Sequence, residues 1–154
     1  MSTTPVPAAL SSAIPYLNVT DGEGAISFYE QAFGASLEAK FPRPGGKLGH
    51  AQMRIGQALF MFRDEYAEMG FMSPATVGGA PLNILVYVED VHSFIRRASA
   101  AGAKVVRPVE EQFHGDLMAT LEDPFGYSWF FATHVEDLGP DELERRSAKY
   151  DPQA

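Results

Sequence analysis

Ile14-Pro15-Tyr16-Leu17-Asn18-Val19-Thr20-Asp21 is answered further along the chain by Asn83-Ile84-Leu85-Val86-Tyr87-Val88-Glu89-Asp90. Val19 matches Val88 and Asp21 matches Asp90 at one offset of 69, and Gly34 matches Gly102 at 68. Two long copies are not a solenoid array. They point to two similar modules that build one site between them.

The first copy opens with a strand over 14–19. Asp21 sits where a helix cap belongs, and Ala25, Ile26, Tyr29 and Phe33 follow at helical spacing until Gly34 stops the helix. A strand over 37–41, a Pro/Gly turn, and strands over 50–55 and 58–62 joined at Gly56-Gln57 complete it. The second copy predicts strand 83–88, helix 91–101, and strands 104–107, 117–122 and 127–132, with a turn at Asp123-Pro124-Phe125-Gly126. Each module reads β-α-β-β-β. One helix cannot cover both faces of such a sheet, so two units must pair. The expected fold is α+β, two tandem βαβββ modules forming a curved mixed sheet around a cleft, helices outside. Residues 1–12 read as a mobile arm and 13–138 as the body, with module one at 13–64, a linker and lid at 65–80 and module two at 81–138. Residues 139–154 read as a charged helix and tail.

The chain has 154 residues, 45% of them hydrophobic, which suffices for a core. A net charge of −8 argues against nucleic acid and anionic membranes as partners. There is no cysteine, so disulfides, thiolate nucleophiles and Cys-held zinc are excluded. No signal peptide or membrane span is evident, and a cytoplasmic location is expected.

Strand parity proposes the cleft residues. Tyr16 and Asn18 face it from the first strand, and Asn83, Leu85 and Tyr87 from its repeat. His50, Gln52 and Arg54 lie opposite Ala51, Met53 and Ile55. In the last strand Trp129 and Phe131 turn inward and Phe130 outward. His50 is a candidate base or ligand contact. Arg54 needs a partner, either Glu122 or an anionic group on a ligand. His114 and Asp116 could act as a base and its orienting carboxylate, or Gly115-Asp116 could simply be a turn. His92 and His134 read as surface residues. Met69, Phe71 and Met72 are candidates for a lid.

The paired "VxD" motifs, "FY…AFGA" in the first helix and "DPFG" before the last strand resemble the vicinal oxygen chelate superfamily, the glyoxalase/bleomycin-resistance/dioxygenase proteins. "GHAQMRIGQALFMFRDE" and "EEQFHGDLMATLEDPFGYSWFFATHVEDL" resemble its PhnB-like branch. The resemblance covers about residues 13–138. It implies a fold more than a function, because that superfamily hosts isomerases, dioxygenases, thiol transferases and metal-free drug binders. Its enzymes hold a divalent metal at four positions that map here to Ile14, Phe60, Asn83 and Phe130. These are not a ligand set, and the histidines often found at the places of Leu85 and Tyr127 are absent. No metal site and no cofactor are therefore expected, a divalent ion on displaced residues being the alternative. The resemblance also implies a homodimer.

Two functions follow as expectations. One is a metal-free protein that binds a small, partly aromatic molecule in an apolar cleft, using Tyr16, Asn18, Gln52, Phe60, Phe62, Asn83, Leu85, Tyr87, Met118, Thr120 and Phe130. The other is a glyoxalase-like lyase, isomerase or dioxygenase, with His50, Arg54, His114 and Asp116 as its catalytic set.

Overall fold

Two four-stranded sheets lie behind the repeat, in a computed structural model that describes residues 2–153. Met1 of the arm and Ala154 of the tail fall outside the described residues. Module one runs β1 (Tyr16–Val19), α1 (Gly22–Phe33), β2 (Ser36–Arg43), β3 (Lys47–Ile55) and β4 (Ala58–Asp64). Module two runs β5 (Asn83–Tyr87), α3 (Val91–Ala100), β6 (Lys104–Glu111), β7 (Asp116–Glu122) and β8 (Ser128–His134). Between them lies α2 (Pro74–Val77), and α4 (Pro140–Ser147) follows. The strand orders are β1-β4-β3-β2 and β5-β8-β7-β6, one topology used twice. In each, the first strand pairs parallel with the last and the remaining pairs are antiparallel. The expected α+β fold of two tandem βαβββ modules is thus present, as two four-stranded mixed sheets with helices outside. No described helix is long and apolar enough to cross a membrane.

The repeated aspartates do the same work in both copies. Asp21 accepts from Gly24 N at 3.0 Å, and Asp90 from His92 N at 3.0 Å and Ser93 N at 3.2 Å. Each satisfies backbone donors that a helix start leaves free. Gly34 ends α1 at φ 61°, a conformation that favours glycine.

One core serves both modules. α1 and α3 pack together, and the apolar faces of both sheets close on them. Tyr29 lies among Phe33, Phe60, Phe62, Phe125 and Trp129, with ring centres 5.1–5.9 Å away. Its hydroxyl donates to Asp123 at 2.7 Å, across the module boundary. Asp123 also accepts from Trp129 Nε1 and from the backbone N–H groups of Phe125 and Tyr127. Burial pushes the Asp123 carboxyl up, and these donors pull it back only in part. Burial first, then the Asp123 charge, hold the Tyr29 phenol well above its ordinary value, so Tyr29 keeps its proton and donates.

Tyr29→Phe removes one donor from a buried carboxylate and should cost about 1–3 kcal/mol. Thermal unfolding should record a fall of roughly 2–10 °C. An unchanged midpoint would mean that this bond does not join the modules.

Candidate functional site

Both sheets turn one face to the helices and leave the other open. In module one the open face carries Tyr16 and Asn18 from β1, His50, Gln52 and Arg54 from β3, and Leu59, Met61 and Arg63 from β4. The register sets Tyr16 beside Met61, Asn18 beside Arg63, and Gln52 beside Met61. His50 Nδ1 lies 2.7 Å from the Tyr16 hydroxyl, and the Phe41 ring stacks on the imidazole at 5.9 Å. Burial lowers the His50 pKa, and the charge of Arg63 lowers it further, which favours a neutral imidazole. Arg54 is already satisfied. Its partner is Glu38, not Glu122, and its Nη1 donates to the Gln57 carbonyl at 3.0 Å. Glu38 also accepts from Gln52 at 2.7 Å.

Phe60 and Phe62 do not belong to this face. They are 2% and 0% exposed and pack under the helices against Tyr29. The register explains the error. β1 sets Tyr16 opposite Met61, and β5 sets Leu85 opposite Phe130. Met61, not Phe60, is therefore the counterpart of Phe130. The turns before β4 and β8, at Gly56-Gln57 and at Asp123 to Tyr127, differ in length, so the mapping that sets Phe60 against Phe130 slips by one residue, and one residue reverses a strand's face. The same slip hid Arg63, which shares Met61's parity.

In module two, Leu85, Phe130, Thr120 and Arg107 form one row across the open face, and Tyr87, Ala132 and Met118 the next. Phe130, Met118 and Thr120 line a cavity of about 360 Å³, closed by Arg107, Glu110, Tyr150 and Asp151. At the end of this face Asp116, 2% exposed, accepts from the Tyr87 hydroxyl at 2.6 Å. His114 Nδ1 lies 3.2 Å from one carboxylate oxygen and His134 Nδ1 2.7 Å from the other. His114 and Asp116 thus do meet, and the structure adds His134 and Tyr87. The signal for His134 was its parity with Phe130 and Ala132. Gly115 makes the turn possible at φ 95°, where a Cβ would lie 2.2 Å from the Glu136 carbonyl oxygen.

Between the modules lies a third opening, an apolar cavity of about 540 Å³. Ile14, Leu59, Leu82, Asn83 and Leu85 line it, Phe60 and Trp129 touch it from the core, and Arg54 stands at its edge. The four metal-type positions, corrected for register, read Ile14, Met61, Asn83 and Phe130. Two carry no donor atom, one a thioether and one a neutral amide, so they do not fit a divalent cation that takes His and carboxylate ligands. Among the described residues no group of three His, Asp or Glu side chains is placed to hold a metal.

The His134 imidazole has a carboxylate at each nitrogen, Asp116 at Nδ1 and Asp137 at Nε2, both at 2.7 Å. Both nitrogens must donate, which requires the protonated ring. The hydrogen bonds to Asp116 and then Asp137 raise the His134 pKa. Burial pushes Asp116 up, but the bonds from Tyr87 and His134 and the nearby imidazoles outweigh it and hold the carboxyl below its ordinary value. A raised histidine contributes stability below its unfolded pKa and loses it as pH climbs through the folded value. A lowered aspartate contributes above its unfolded pKa and loses it as pH falls through the folded value. The pair is complete between roughly pH 4 and 6.5 and fades outside it. An NMR titration should place His134 above a free histidine, and Asp116→Asn should bring it back toward the ordinary value. A His134 that titrates normally in the intact protein would dismiss this pairing.

Residues 10–131 match the Glyoxalase/Bleomycin resistance protein/Dioxygenase superfamily. An uncharacterised protein of Mycobacterium bovis, Mb0911c, is 38% identical over 133 residues, spanning 84% of this chain and 88% of the relative. An uncharacterised Arabidopsis thaliana protein, At5g48480, is 28% identical over 115 residues, spanning 70% of this chain and 69% of that one. Among solved structures, TioX from Micromonospora sp. ML1 superposes with a TM-score of 0.65 at 25% identity, covering 84% of this chain and 100% of TioX. The fosfomycin resistance protein FosX of Listeria monocytogenes, solved with Mn(II) and sulfate, shares the fold at a TM-score of 0.59 and 14% identity, covering 88% of this chain and 96% of FosX. With the twice-used βαβββ topology, these likenesses make the chain a member of the glyoxalase/bleomycin-resistance/dioxygenase superfamily.

Proposed function

We propose that this chain binds a small, partly aromatic organic molecule in the apolar cavity between its modules, without the metal used by the superfamily's enzymes. One observation carries the reading: the cavity of about 540 Å³ has Ile14, Leu59 and Leu85 in its walls, with Ser12, Arg54, Gln57 and Asn83 as its few polar side chains. That size and balance suit a compact organic ligand. The unsuited donor set at Ile14, Met61, Asn83 and Phe130 supports the metal-free half. On this reading the protein belongs with the PhnB-like branch and works as a cytoplasmic homodimer. Tyr87 and Val106, 54% and 50% exposed in module two, are apolar surface that a second copy would cover.

A second reading is favoured by one observation, the His50 imidazole bonded to Tyr16 and kept neutral beside Arg63. There His50 would be the acid/base residue of a lyase, isomerase or dioxygenase, and His114 with Asp116 a second pair.

Elemental analysis of protein purified without chelator or affinity tag should find no stoichiometric divalent metal, and added ions should not shift its melting. One equivalent per chain would sink the metal-free reading. A thermal-shift screen of uncharged aromatic compounds should give hits that Ile14→Glu weakens about tenfold or more, from lost apolar contact and an added charge. His50→Ala should leave the affinity of those hits within a few-fold. A loss of about 10²–10⁴ in the rate of any activity found would instead favour the acid/base reading.

A further inference from the structure

Arg63 is held more firmly than its bonding explains. Its guanidinium carbon lies 4.1 Å from the centre of the Tyr16 ring, on β1, and 3.9 Å from that of the Phe71 ring, in the linker. Both rings offer the cation a π face. Contact with ring faces satisfies none of a guanidinium's five N–H donors. The Nε–H is shielded from solvent and has no acceptor among the described residues. Among the described residues no carboxylate lies within ion-pair reach of Arg63, whereas Arg54 takes Glu38, and Arg43 donates to the carbonyls of Asp64 and Glu65. Beside it in the parallel register, the Asn18 Oδ1 is also shielded and unbonded. A buried donor and a buried acceptor left open on adjacent strands are a costly pair for a fold to keep, and such orphans mark sites that a ligand completes.

We propose that Arg63 anchors a carboxylate-binding site on the open face of module one, for an aromatic organic acid. The carboxylate meets the guanidinium at its two Nη groups, which are not shielded as Nε is, through two parallel N–H···O bonds. Met61 lies on the same face, and Tyr16 and Phe41 are 39% and 60% exposed there, so an aromatic body has apolar surface to rest on. This site lies outside the residues that line the junction cavity. It stands or falls apart from the function proposed for that cavity, whose test uses uncharged compounds.

The test titrates the intact protein with benzoate, with its uncharged isostere benzamide, and with acetate. The Arg63 Nε–H resonance and calorimetry are followed together. Benzoate should saturate and move the Arg63 Nε–H. Benzamide and acetate should each bind at least about tenfold more weakly, one lacking the charge and the other the ring. Arg63→Gln should weaken benzoate at least about tenfold and leave any junction-cavity hit unchanged. Arg63→Lys, which keeps the charge but not the planar fork, should recover only part of the affinity. If Arg63→Gln fails to fold, the wild-type resonance decides alone. An Nε–H that ignores benzoate overturns the proposal. So does equal affinity for benzoate and benzamide, or for benzoate and acetate.

Discussion

The buried carboxylate of Asp123 is the constraint on which the arrangement of the two modules rests. It comes from the β7–β8 turn of module two, and one of its four donors is Tyr29 from the helix of module one. An aspartate so buried is tolerable only when its lone pairs are filled. The bond therefore fixes where α1 can sit against β8. Two other links lie on the same boundary. The Tyr127 hydroxyl bonds both the N–H and the carbonyl of Asn18, on the free edge of β1. Arg97 of α3 donates to the carbonyls of Gln31 and Glu30 near the end of α1. The modules are thus tied through their helices and strand edges, and the outer sheet faces carry none of that load.

That division lets the two copies diverge where they are free to. Core positions and caps remain matched, Val19 with Val88 and Asp21 with Asp90. The open faces do not. Tyr16 stands where module two has Leu85, Met61 where it has Phe130, and Arg63 where it has Ala132. Module one's face presents a cation, Arg63, with no carboxylate partner among the described residues, and an imidazole whose pKa is lowered. Module two's face ends in a carboxylate shared by two histidines and a tyrosine. A common scaffold holds two surfaces of opposite chemical character.

Much of the scaffold was legible in the sequence because its signals are local. The repeat offset, the capping aspartates and Gly34 each depend on residues a few positions apart. The alternation in β3 is unambiguous because polar and apolar residues strictly alternate from His50 to Ile55. β4 offered no such clue. Leu59 and Met61 are as apolar as Phe60 and Phe62, so either face could be the core. Its two charged residues pull opposite ways. Arg63 turns outward, while Asp64 is buried, accepting from the backbone of Gly22 and Leu48 at 2.6 Å each. A buried aspartate next to an outward arginine defeats a reading based on polarity. Only the parallel pairing with β1 settles the register.

The candidate site was harder to read for the same kind of reason, since it turns on which polar groups already have partners. Arg54 and Arg63 look alike in the sequence, two arginines nine residues apart on one sheet face. Arg54 drew attention because it alternates with His50 and Gln52. The β2–β3 pairing, with a register shift between Leu37 and Ala39, brings Glu38 to Arg54, and no spacing rule anticipates that contact. Arg63 is shaped by a linker residue, Phe71, whose place is fixed by the Tyr66–Phe71 bridge and not by any strand. Charge on a strand face is cheap to predict. Whether the fold itself satisfies that charge depends on long-range register, and what the fold leaves unsatisfied is what a ligand can use.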